Sequence, residues 1–339
     1  MIVKKTLTLK AIYEFAGHHL YWLTPWMLAV SSFYHFTHWK FITIPWLPLS
    51  LIGTAVAFYV GFKNIQSYDR LWEARQIWGA LVNNSRKLAT MIKNLRSDDL
   101  EADFGKAIRK QIILRHIAYL YQLREQLLLP TPWEHVSLKG PIGFYNRRRR
   151  ARDFARFKEE LDEASSKNYL VAEEKANLET VRNKATHIMD LQSNAVQQLY
   201  QHKSINNIQQ ARIQDVLNSF YDEQGKAERI KNFPLPRQYG SFSFVFVCIF
   251  VFLLPFGIVA EFAKLGDAMV WLSVPVGVIV GWIYVVMEMI GDYSENPFEG
   301  LHNDIPMFSI CRTIEIDLLQ LMGEKDVPKP IASKENILL

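Results

Sequence analysis

The chain has 339 residues, 49% of them hydrophobic and 13% aromatic, with 22% charged and a mean hydropathy near zero. That profile excludes disordered, collagenous and disulfide-scaffold classes. The two cysteines, Cys248 in an apolar run and Cys311 in a charged one, give neither a disulfide framework nor a zinc spacing. A net charge of +5 is the basic balance that membrane proteins collect in their cytoplasmic parts, so nucleic acid is not an expected partner.

From the N-terminus, Lys4, Lys5 and Lys10 precede a long apolar stretch with no small-residue cleavage site before a polar start, so a removed signal peptide is not expected. Four stretches approach the roughly 20 apolar residues that a spanning helix needs: Leu20 to Phe36, Ile42 to Phe62, Tyr239 to Ala260 and Met269 to Ile290. Pro255 and Pro275 lie within the last two and predict kinks, which membrane helices tolerate where neighbours satisfy the freed carbonyls. The second stretch runs on through Asn64 to Asn94 interrupted only by Gly79, which predicts one continuous helix of about 65 Å leaving the bilayer.

Between the second and third stretches, Gln111 to Leu129 and Leu170 to Leu199 repeat apolar residues at three and four, the helical period, and strand signals are nearly absent. This region holds about thirty of the 39 Lys and Arg, which by the positive-inside rule places it and both termini in the cytoplasm. The tail after Gly323 is polar with two prolines and reads as loose. The expected organisation is all-α: residues 1–62 with two spans, a helical cytoplasmic region over 63–236, two further spans over 237–290, and a cytoplasmic segment with its tail over 291–339.

Several constellations have ordinary readings. His35 and His38 share a helix face but lack further ligands, so they read as an interfacial pair and not as a metal site. Glu261 and Glu288 end their spans and read as carboxylates delivered to interfacial water. Arg147, Arg148, Arg149 and Arg150 form a basic block able to attract anionic headgroups, with a solvated loop as the plainer reading. There is no HExxH, phosphate-binding Gly loop or nucleophile elbow, so neither an enzyme nor a cofactor is expected.

Gly61 to Arg86, GFKNIQSYDRLWEARQIWGALVNNSR, reads first as a membrane-exit helix. Arg70 and Glu73 are spaced to pair, while Leu71, Trp72, Arg75 and Trp78 fall at headgroup level. With Tyr68, the same residues resemble the signature of the bestrophin family, in which Gly-Phe-Arg/Lys-Asn precedes Tyr-x-Arg-x-Trp-Glu-Ala-Arg and a Trp-Gly pair. A second stretch, EMIGDYSENPFEGLHNDIPM from Glu288 to Met307, resembles the family's Asn/Asp-Pro-Phe element through Asn296, Pro297 and Phe298, followed by an Asn-Asp-Ile-Pro containing Asp304.

The resemblance implies a homopentameric ion channel with an axial pore and a hydrophobic neck. The matching neck positions are Thr54, Phe58 and Phe62, spaced by four along one helix face. Thr54 departs from the family's apolar residue and is expected to widen or wet that end. An apolar cytoplasmic aperture is also implied, with Ile205 as the candidate and a core isoleucine as its plainer reading. Animal members hold calcium through an acidic run here, but Glu299 and Asp304 alone are too few for its six to eight oxygens, so no metal is assigned. The implied partners are permeant ions, chloride first and sodium as the alternative, with membrane lipid and further copies of the chain. A membrane-anchored scaffold is the reading from another class.

Overall fold

The computed structural model describes residues 1–95 and 102–339. They form the α-helices α1 Leu9–Ala16, α2 Leu20–Thr37, α3 Trp46–Lys93, α4 Ala102–Leu127, α5 Gly140–Arg156 and α6 Lys158–Ser166. The remainder are α7 Ala172–Leu178, α8 Lys184–Gln201, α9 Asn207–Asn232, α10 Arg237–Ala263, α11 Ser273–Asp292 and α12 Met307–Leu321. Among the described residues the only β pairing is isolated bridges at Ile2–Ile337 and Lys334–Ile337, and the fold is all-α.

The chain divides into two compact units. A span unit comprises 4–70 and 234–296, and a central unit comprises 1–3, 71–233 and 297–339. As expected, α3 is one unbroken helix, 48 residues long, which at 1.5 Å per residue extends about 72 Å. Its one proline, Pro48, causes no break because it falls in the first turn, where the missing N–H has no intrahelical carbonyl to satisfy. Pro275 likewise falls in the first turn of α11 and so carries no interior kink, whereas Pro255 is buried inside α10.

Among the described residues three helical segments, Lys40–Lys93, Arg237–Ala263 and Asp267–Asp292, are long and apolar enough to cross a membrane. The fourth expected span, α2, does form a helix of 18 residues, but its Thr, Ser, His and Pro dilute it below the other three. It is held by close packing within the span unit. Leu23 faces Gly281 and Met27 faces Gly277, while Ser31 and Ser273 hydroxyls meet at 2.9 Å. In these three pairs a residue four further along α2 meets one four earlier on α11, so the two helices pack antiparallel. Small residues at this spacing let helices approach where lipid offers no hydrophobic drive for association. Gly257 of α10 receives Leu49 of α3 in the same way.

The central unit is held by ordinary apolar burial. In α8 the buried residues Ala185, Ile188, Met189, Gln192, Ala195, Val196 and Leu199 follow a three-and-four spacing, facing α4 and α9. Ile112, Ile113, Ile117 and Leu120 supply the α4 side, and each such side chain contributes about 1.5–3 kcal/mol. The reciprocal box between Asn206 and Gln209 starts α9.

The tail corrects the expectation of looseness. Ser309 donates to the Leu339 carbonyl at 2.8 Å, Val3 to that of Asn336 at 3.0 Å, and Lys334 pairs with Glu160 at 2.6 Å. Backbone pairing and the burial of Ile337 fix the polar segment despite its prolines.

Candidate functional site

Within the span unit, α3 presents two opposed faces. Leu49, Val56, Val60, Lys63 and Ser67 are buried, each at most 5% exposed, and follow the three-and-four spacing of a packed helix face. The other face carries Thr54, Phe58 and Phe62, all exposed, with Phe58 at 70% and Phe62 at 52%. The Phe58 and Phe62 ring centroids lie 4.7 Å apart with planes at 85°, an edge-to-face pair one helical turn long. The Thr54 hydroxyl donates to the Ser50 carbonyl at 2.9 Å, so its proton is used within the helix.

Behind this face lies a polar centre that the sequence reading did not assemble. Lys63 pairs with Glu288, whose other carboxylate oxygen accepts from the Ser243 hydroxyl, and Asp292 stands 3.7 Å from the Lys63 ammonium. Asn64 donates to the Met287 carbonyl at 3.0 Å. Glu288 is therefore not an interfacial carboxylate. It is 5% exposed and held by α3 and α10, because a charge at that depth needs a counter-charge and a donor. Glu261 is paired with Lys264 at 2.6 Å and partly exposed. His35 packs on Trp271 and His38, with ring centroids 5.2 and 6.3 Å away. The only missed signal for Lys63 was a lysine ending one apolar run while a glutamate ended another.

The first motif separates into roles. Arg70 donates to the Glu295 carbonyl at 2.8 Å, and Glu73 is paired with Arg229 of α9, so each has a partner far along the chain. Tyr68 and Trp72 are about half exposed and Arg75 is exposed. Trp78, expected at headgroup level, is fully buried in the core of the central unit, where it packs with apolar residues of that core.

The second motif is a compact turn. Asp304 accepts from the backbone N–H groups of Phe298 at 2.9 Å, Gly300 at 2.6 Å and Ile305 at 2.7 Å. These bonds hold Phe298 at φ +73° and Gly300 at φ +76°, with the Phe298 ring fully buried. Glu299 accepts from the Val136 N–H at 3.1 Å and stands 3.1 Å from His135 Nδ1. Both carboxylates considered for calcium are thus engaged by protein donors and do not fit an oxygen cage for that ion. Asn296 and Pro297 are buried at the start of the turn.

Ile205 lies in the core of the central unit at 4% exposure. Its neighbour in the same segment, Ile208, is the exposed one at 66%, in the first turn of α9. The arginine block is not a solvated loop. It lies in α5, where Arg147 donates to the Val136 carbonyl at 2.9 Å, Arg149 to His302 Nδ1 at 3.0 Å and Arg150 to the Leu128 carbonyl at 2.7 Å.

A family model described as Bacterial/Fungal Bestrophin protein matches residues 13–320. The chain belongs to the bestrophin family. Relatives of this bestrophin include a voltage-dependent anion channel-forming protein, YneE, of Salmonella typhi, 27% identical over 83% of this chain and 78% of the relative. The protein of that name in Escherichia coli K12 is 25% identical over 84% of this chain and 79% of its own length. A similarly named protein of Ralstonia nicotianae is 27% identical over 89% and 86%. In fold, the bestrophin superposes on the crystal structure of a bacterial bestrophin homologue from Klebsiella pneumoniae with a TM-score of 0.73. The two are 23% identical, and the match covers 91% of this chain and 99% of the other. This bestrophin is a membrane protein.

Proposed function

We propose that this bestrophin assembles as a homopentamer and passes small inorganic anions, chloride first, passively across the membrane. The neck of the pore is formed by Thr54, Phe58 and Phe62 of each copy. The observation that carries the reading is the exposed aromatic face of α3 set opposite its buried stripe. It is an apolar surface that the chain's own packing leaves open, one turn long and doubly aromatic. Five copies around an axis make a constriction that sheds water readily. The names of the relatives, anion channel-forming proteins, support the same reading.

The ring geometry favours anions over sodium. With planes 85° apart, the two rings cannot both turn their faces toward one axis, so at least one presents its edge, which carries partial positive charge. The Thr54 hydroxyl is spent on the Ser50 carbonyl, which moderates the wetting expected from a polar residue in the neck. Lipid surrounds the spans, the bacterial inner membrane is the site, and the termini and central unit lie on its cytoplasmic side. No reaction is catalysed.

The test is bilayer recording of the purified protein under asymmetric NaCl. Reversal near the chloride equilibrium potential is expected. Reversal near that of sodium keeps the neck but reverses the selectivity, and silence across voltage, pH and calcium overturns the channel in favour of a scaffold.

A further inference from the structure

Between Lys139 and Arg156 the chain carries seven Lys and Arg against a single carboxylate, Asp153. Asp153 is 1% exposed and is occupied by Arg156 and His302, each at 2.5 Å. The outward surface of α5 therefore has no negative side chain at all. Four of the seven cations are spent within the central unit: Arg147 and Arg150 on carbonyls, Arg149 on His302, and Arg156 on Asp153 and Glu335. Among the described residues, no hydrogen bond or ion pair engages Lys139, Arg148 or Arg152, and all three are exposed.

The same surface carries an aromatic ring. Phe144, Arg148 and Arg152 succeed one another at four-residue steps on the face opposite buried Gly143, Asn146 and Asp153. Phe144 is 63% exposed. An aromatic ring in line with two arginines that have no ion-pair partner, with no acid among them, is the composition of an interfacial helix and not of a solvated one.

Along the chain, the contacts that anchor the start of α5 lie a few residues from the points where the span unit joins. Just before α5, Val136 and His135 bind Glu299, three residues after the chain enters the central unit from the span unit. Glu134 pairs with Lys231, six residues before the membrane helix α10 begins at Arg237. Six extended residues reach at most about 20 Å.

We propose that the outer face of α5, Phe144 with Arg148 and Arg152, docks on the anionic lipid headgroups of the leaflet from which the spans emerge. The inference rests on this protein's being a membrane protein and is independent of whether it conducts. Each basic residue near such a leaflet shifts the equilibrium about fivefold, so removing two weakens the association about thirtyfold.

The experiment places a spin label at Phe144→Cys in the full-length Cys248→Ser protein, Cys311 being buried. Access of a water-soluble nickel chelate is then measured in nanodiscs of phosphatidylcholine alone and of phosphatidylcholine with phosphatidylglycerol. The label is expected to be shielded only in the discs with phosphatidylglycerol. Arg148→Gln/Arg152→Gln, or high salt, is expected to remove the shielding while the oligomer elutes unchanged. Equal access in both disc types overturns the proposal, whether access is high, so that nothing covers the face, or low, so that a second copy or uncharged lipid does. Shielding that survives both the double substitution and high salt overturns it as well.

Discussion

Lys63 and Glu288, 225 residues apart in sequence, form an ion pair with side chains only 2% and 7% exposed, directly behind the aromatic face of α3. Lys63 follows Phe62 in the chain, so the pair, with Ser243 as second donor to the carboxylate, fixes which way α3 is turned at that level. The same contact that satisfies two buried charges thereby leaves Phe58 and Phe62 facing outward.

Removing one partner strands the other. Lys63→Met or Glu288→Leu is expected to cost about 3–5 kcal/mol, while the double substitution Lys63→Met/Glu288→Leu recovers most of the loss. A double-mutant cycle on unfolding in detergent reads the coupling, and independent effects of the two changes would show that the pair does not hold the helix.

Replacing both Phe58 and Phe62 by Ala widens the neck and removes its apolar rings. Single-channel conductance is expected to rise several-fold with the oligomer intact on size exclusion. Unchanged currents from an intact oligomer would remove these two residues from the pore.

Asp304 holds its turn through three backbone N–H groups. Asp304→Ala leaves these buried donors without an acceptor and is expected to destabilise by about 3 kcal/mol or more. Gly300→Ala is expected to cost about 1–2 kcal/mol, since φ is +76° and the new methyl meets Leu128 and Arg150 at 3.1 and 3.2 Å. Thermal unfolding of the two variants gives the order, with Asp304→Ala the lower.

His116 of α4 supplies a pH dependence. Ser85 donates its proton to the Leu81 carbonyl at 2.6 Å and so accepts from His116 Nε2 at 2.8 Å, which leaves Nδ1 as the bare, unpartnered nitrogen of a neutral ring. Burial lowers the imidazole pKa to about 3. In the unfolded chain the ring takes up a proton near pH 6.5, whereas the folded ring does not until about 3. Stability from this group is therefore complete above pH 6.5 and falls with pH down to about 3, by up to about 1.4 kcal/mol per pH unit. His116→Phe is expected to flatten the difference in stability between pH 6.5 and 4.5, as measured by denaturant unfolding. An unchanged slope would mean that other groups set it.

Much of this protein is legible in its sequence because local rules suffice. The apolar runs, the three-and-four periodicity and the absence of Pro or Gly between Pro48 and Gly53 and again from Asn64 to Trp78 determine the all-α class and the unbroken α3. Spacing by four puts Thr54, Phe58 and Phe62 on one face, and the two motifs carry the family. What remains depends on which distant residues meet. Glu288 reads as the charged end of a span, and Lys63 directly follows the apolar stretch that ends at Phe62, but a sequence shows no depth and no partner for either. Trp78 reads as an interfacial anchor until the apolar residues around it close a core. Ile205 and Ile208, three residues apart, differ only in which one the turn into α9 buries. The tail reads as polar and loose because the backbone pairing that holds it joins Met1 and Val3 to residues more than three hundred positions away. Periodicity is a property of neighbours along the chain, and burial and charge pairing are properties of neighbours in space, which only the tertiary fold brings together.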